Sequence, residues 1–185
     1  MNRNNSNFKL IFSALAIALN IVLGTVVGLI NIPLLYLDTV GTIFSAALFG
    51  PWYGAAVGGL TNIIQGALTN PKSIPFALVN IAVGIIVGFM AKKWKFNIVT
   101  SIITGLILAV VAPLIGTPIA IYVYEGITGD FNDVIFTWLT KSGQTIFASA
   151  FIPRITGNII DKVASCAIVS LLISKMPSKY TQGNN

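Results

Sequence analysis

The sequence predicts an all-α integral membrane protein, a six-transmembrane-helix bundle, and three observations carry that prediction. The 185 residues are 55% hydrophobic and only 9% charged, against about 25% charged in a typical soluble domain. The apolar residues fall in long continuous runs rather than in alternation, which favours helices over a closed barrel. Turn and charge signals separate these runs at intervals that suit spans of about 20 residues. A water-soluble chain of this length has too little interior to bury so much apolar surface, so lipid must cover it.

We expect one transmembrane domain over residues 1–185, with no room for a separate soluble domain or a fused ATPase. The expected helices are 8–30, 39–49, 52–68, 74–92, 97–120 and 154–175. Arg3 and Lys9 precede the first run as in a signal peptide. The run is too long for a signal core and more spans follow, so it reads as a retained helix. It ends at the polar break Asn31-Ile32-Pro33. The short second run starts at Val40 and closes at Gly50-Pro51, a strong turn pair. The third closes at Thr69-Asn70-Pro71-Lys72 and the fourth at Lys92-Lys93-Trp94-Lys95. Pro113 and Pro118 disturb the end of the fifth. Residues 122–150, with Glu125, Asp130, Asp133 and Lys141, read as an outer loop, and Pro153 interrupts the short apolar stretch before the last helix.

The formal charge of +6 comes from 11 Lys+Arg and 5 Asp+Glu. In a soluble chain it would suggest nucleic acid; here it reads as a topology signal beside an anionic leaflet, with no nucleic-acid partner. With six crossings and a cytoplasmic N-terminus, Arg3, Lys9, Lys92, Lys93, Lys95, Lys175 and Lys179 lie inside, and Lys72, Lys141 and Arg154 outside. Both termini are then cytoplasmic in a multi-pass cell-membrane protein. Asp38, Glu125, Asp130 and Asp133 all fall on the outer side. There is no histidine, and Cys166 is the sole cysteine, which excludes an internal disulfide and disfavours metal sites and His-based catalysis. Glu125, Asp130 and Asp133 read as a solvated loop rather than a metal cluster. No Walker motif is present. We therefore expect no catalytic residues, metal or cofactor, and no enzyme.

Polar residues inside membrane helices are costly and face a cavity or a partner. Asn62 and Gln65 are three apart on the third helix, and Asn80 sits about two turns from the outer start of the fourth. Arg154, Asn158 and Asp161 follow i, i+4, i+7 spacing and share a face of the last helix; Lys162, adjacent to Asp161, is expected to point elsewhere. The functional reading is a polar pocket in the outer half, and the plainer one is hydrogen bonding between helices. Asp38 either joins the pocket or caps the second helix. Tyr36, Tyr122, Tyr124 and Trp138 are on the outer side, as interface anchors or as rings stacked on a flat ligand. The candidate binding set is Asp38, Asn62, Gln65, Asn80, Tyr122, Trp138, Lys141, Arg154, Asn158 and Asp161. Gly24/Gly28, Gly54/Gly58, Gly84/Gly88 and Ala14/Ala18 are small pairs at i, i+4, which let helices approach closely; on the residues alone, all read as packing.

The run Leu37-Asp38-Thr39-Val40-Gly41-Thr42 is followed by Leu48-Phe49-Gly50-Pro51-Trp52-Tyr53-Gly54 and Gly58-Gly59-Leu60-Thr61-Asn62. In this order the chain resembles, over nearly its whole length, the substrate-binding S components of energy-coupling-factor (ECF) vitamin transporters, in particular the riboflavin-type group. The resemblance implies a six-helix subunit that tightly binds a vitamin or related small heterocyclic micronutrient at the outer face. It implies docking on an ECF transmembrane coupling subunit driven by two cytoplasmic ATPases, with toppling in the membrane lipid. Ala14/Ala18 looks like the AxxxA docking motif of such proteins. The riboflavin-type signature does not name riboflavin as the ligand. The alternative is a standalone secondary transporter or channel for a small solute, with proton coupling through Asp161 or Glu125. A membrane enzyme or assembly factor ranks last, for want of a catalytic cluster.

Overall fold

The structure, a computed structural model, describes residues 3–30, 32–129 and 131–177. The side chain of Arg3, and Asp130 and Lys179, used above in the charge reading, lie outside the described residues. The described chain is all helical, without strands: α1 (Arg3–Ile30), α2 (Val40–Phe49), α3 (Pro51–Leu68), a 3-10 turn (Pro71–Phe76), α4 (Ala77–Lys93), α5 (Ile98–Tyr124), α6 (Asn132–Lys141) and α7 (Ile146–Lys175). Among the described residues four stretches are long and apolar enough to cross a membrane: Ser6–Ile30, Pro71–Lys93, Ile98–Tyr124 and Ile146–Lys175.

The departures from the expected elements cluster at one end. The segment expected as an outer loop over 122–150 contains α6 and the first turns of α7. Pro153 lies inside α7 rather than before it, and Pro113 and Pro118 lie inside α5, which continues to Tyr124. In a packed bundle, neighbouring helices hold the backbone where a proline removes one ladder bond.

At ten residues, α2 is about 15 Å long, roughly half of a 30 Å hydrocarbon core. It is short because it starts inside the bundle. The segment before it runs down between α1 and α7, with Leu34 and Leu37 in the left-handed region at φ 62° and 51°. Irregular backbone at such depth must be satisfied by protein. Asp161 Oδ1 accepts the N–H groups of Tyr36 and Leu37, each at 2.8 Å. Asn20 Oδ1 on α1 accepts the Gly41 N–H at 2.7 Å, while its Nδ2 donates to Thr42 and Thr61. Gly24 makes the room: a Cβ there would lie 3.1 Å from that of Asp38.

Below this segment the helices close tightly. A Cβ on Gly84 of α4 would stand 2.2 Å from the Gly54 carbonyl carbon of α3, and one on Gly88 would stand 2.3 Å from Pro51. Close backbone approach is what small residues supply between membrane helices. The apolar core at this level includes Ile43, Val83, Val87, Leu108, Cys166 and Val169.

Candidate functional site

A cavity of about 420 Å³ opens where α1, α3 and α5 end and α4 and α7 begin. That volume suits a small molecule, for which pockets run about 300–1,000 Å³. Its walls come from every side of the bundle. Asn62 and Gln65 come from α3, Asn80 from α4, and Arg154, Asn158 and Lys162 from α7. Tyr36 and Asp38 enter from the descending segment, and Gly116 and Tyr124 from α5. Phe76 and Tyr124 place their ring centroids 6.2 Å apart on the same wall.

Two amides on its wall are buried. Asn62 is 8% exposed and Asn80 4%. Asn80 Nδ2 donates to Asn62 Oδ1. Among the described residues neither side chain makes another hydrogen bond, so Asn62 Nδ2 and Asn80 Oδ1 have unfilled valences. Gln65 has no side-chain hydrogen bond among the described residues either. Asn158 Nδ2 donates to the Arg154 carbonyl at 2.8 Å, which leaves its own oxygen available.

Arg154 is buried and donates to the carbonyls of Ala150 and Gly126 and to Thr128 Oγ1. It thus ties the α5–α6 connection to α7. Asp133 orders the start of α6 by accepting the N–H groups of Thr128 and Gly129. Asn132 Nδ2 then donates to Tyr36 Oη at 2.6 Å, joining α6 to the descending segment.

Lys162 lies at the centre of an ion cluster. Its Nζ is 2.6 Å from Asp161 Oδ2, 3.3 Å from Asp38 Oδ1 and 3.1 Å from Thr39 Oγ1. The expected divergence of Asp161 and Lys162 holds for their Cβ directions only, because the four-carbon lysine stem folds back to its neighbour. Asp161 is fully buried and turned toward the Tyr36 and Leu37 amides. It therefore stands behind the cavity wall rather than on it. Asp38 does not cap α2: the capping position is Thr39, without a side-chain cap bond, and the Asp38 carboxylate faces Lys162 and the cavity.

Of the candidate binding residues, the structure brings Asp38, Asn62, Gln65, Asn80, Arg154 and Asn158 into one cavity wall. Tyr122, at 92% exposed, and Trp138, at 66%, lie outside it. Lys141 is exposed at the end of α6 and also lies outside. Sequence reasoning did not assign Lys162 or Asn132 to the pocket, and did not single out Asn20. A lysine deep in a membrane helix was a usable signal for the first. Asn132 was hidden by reading its helix as loop. On α1, Ala14 and Ala18 are exposed, while Ala16 and Asn20 face the bundle. Among the described residues no group of three or more His, Cys, Asp or Glu side chains could hold a metal ion.

Residues 8–173 match the model of a family described as ECF transporter, substrate-specific component. The match is to the family and does not single out its riboflavin-type group. No curated protein and no solved structure matches the chain.

Proposed function

Because the chain belongs to the substrate-specific components of ECF transporters, which are substrate-binding transport subunits and not enzymes, we propose that its cavity captures a vitamin or related small heterocyclic micronutrient. The observation that carries this is the cavity itself. It has the volume of a small ligand, and its buried amides, Asn62 and Asn80, hold hydrogen-bonding groups with no protein partner among the described residues. Such groups are costly when left unmade, and a ligand fills them. Contacts come from Asp38, Asn62, Gln65, Asn80, Arg154 and Asn158, with Lys162 added from the geometry.

In this reading the chain crosses the cell membrane six times with both termini cytoplasmic, and α2 completes its crossing through the descending segment. The cavity faces outward. Energy comes from a transmembrane coupling subunit and two cytoplasmic ATPases. Docking uses the Ala14/Ala18 face of α1, which is exposed and small and so admits a close helix.

Native mass spectrometry of the purified protein tests capture: a bound small molecule is expected, displaced in variants of Asn62 and Asn80. Docking is tested by Ala14→Trp and Ala18→Trp, which should abolish uptake while leaving ligand binding intact. Normal uptake in both variants overturns the docking role. Uptake that persists without the ATPases but collapses with the proton gradient overturns the reading in favour of a secondary transporter.

A further inference from the structure

One carboxylate on the cavity wall bears on what the cavity holds. Two carboxylates share one ammonium. Asp161 is fully engaged: one oxygen receives two backbone N–H groups and the other lies 2.6 Å from Lys162. Lys162 reaches Asp38 only at 3.3 Å, through Oδ1. The side chains of Asp161 and Lys162 are 0% and 5% exposed, whereas that of Asp38 is 38% exposed. Within this trio the surplus negative charge resides on Asp38, on the cavity wall that Arg154 also lines, and its Oδ2 has no donor among the described residues. A carboxylate in such a partly dry place is stabilised by added N–H donors and repels a second anion.

Beside this acceptor stands the Asn62–Asn80 pair. With its internal bond made, it offers the cavity an N–H donor from Asn62 and a carbonyl acceptor from Asn80. A donor and an acceptor on one wall complement the carbonyl and N–H groups of a heterocycle. Phe76 and Tyr124 supply aromatic surface for a flat ring. An alkyl amine would satisfy Asp38 but leave the amide pair unfilled.

We infer that the ligand is an amino-substituted nitrogen heterocycle that presents an amidine-type edge, a ring N–H beside an exocyclic amino group, to Asp38. This rests on the proposal that the cavity is the capture site and names the chemistry it selects. The Asp38 Oδ2 and the spare lone pair of Oδ1 take the two donors, and the neighbouring ring carbonyl accepts from Asn62 Nδ2.

The test uses the full chain in nanodiscs, freed of co-purified small molecules, with pairs of probes that differ at one group. Pterin is compared with lumazine, and guanine with hypoxanthine, by competition calorimetry. The amino-bearing member of each pair should bind about tenfold tighter or more, because its analogue leaves an Asp38 oxygen without the amino donor. Asp38→Asn should shrink that preference to about threefold or less. The wild-type comparison needs no variant, so the inference stays testable even if Asp38→Asn folds poorly. Equal affinity within both pairs overturns it, as does a preference that survives in a folded Asp38→Asn protein. A natively bound molecule without an amidine edge overturns this inference and leaves capture standing. A chain that retains no small molecule and never co-purifies with a coupling subunit overturns the capture reading itself.

Discussion

At one end of the bundle α3, α4 and α7 turn Asn62, Asn80, Asn158 and Arg154 toward a cavity; about two turns further along α3 and about one along α4, the two helices meet backbone to backbone at Gly54 and Gly84. The first end is kept open by a segment that enters between helices, and Asn62 and Asn80 there hold hydrogen-bonding groups with no protein partner among the described residues. The second is closed by glycines and by apolar side chains such as Val87, Leu108 and Val169. A membrane bundle gains little from hydrophobic association, since lipid is as apolar as its helices, so close packing and hydrogen bonds must hold it. The packed end supplies the stability that lets the other end remain hollow. The ion cluster marks the border: Asp161 fastens the descending segment that separates the two levels.

Substitutions at each level should separate their roles. Asp161→Ala is expected to cost most, about 3–5 kcal/mol, because it frees the Tyr36 and Leu37 amides and leaves buried Lys162 without its nearest carboxylate. Thermal unfolding in detergent measures this, and a loss below about 1 kcal/mol would mean that the segment is held by other contacts. Gly84→Val attacks the packed end, where the added Cβ meets Gly54 backbone. It should cost about 1–3 kcal/mol by overpacking and weaken ligand binding only through stability, which a binding isotherm on the folded fraction checks.

Asn20→Ala removes the seam between α1, α2 and α3, and strands the Gly41 N–H. About 1–3 kcal/mol is expected, with a smaller effect if water reaches that N–H. The smallest effect belongs to Trp138→Ala and Tyr122→Ala. Both side chains stand outside the cavity, so binding should remain within about 0.5 kcal/mol of the parent. A tenfold loss of affinity in either variant would bring the outer aromatics into the site and erase the contrast between wall and surroundings.

Much of this was legible in the residues, for physical reasons that differ by element. Long apolar runs announced α1, α4 and α5 because each must satisfy its own backbone in lipid. Gly54 and Gly84 were readable as packing, and the structure has them in close contact. Asn62, Gln65 and Asn80 were readable as inward-facing, since an amide in a span has few other places to go. The segment 32–39 was not readable as a descent into the bundle. Its depth depends on Asp161, distant in the chain, accepting two of its amides. Nor was α6, whose mixed residues have the composition of a loop and whose helix is held by Asp133, Arg154 and Tyr36 contacts.

The sequence by itself determined that this chain is a membrane helix bundle, where the long spans lie, and which polar residues are too costly to face lipid. Those follow from local properties, apolar run length and the energy of a polar group in hydrocarbon. Only the tertiary structure decided that Asp161 is a fastening behind the wall while Asp38 is an open carboxylate on it. Both are aspartates beside the same lysine. What divides them is which backbone amides and which empty volume the folded chain brings within reach of each.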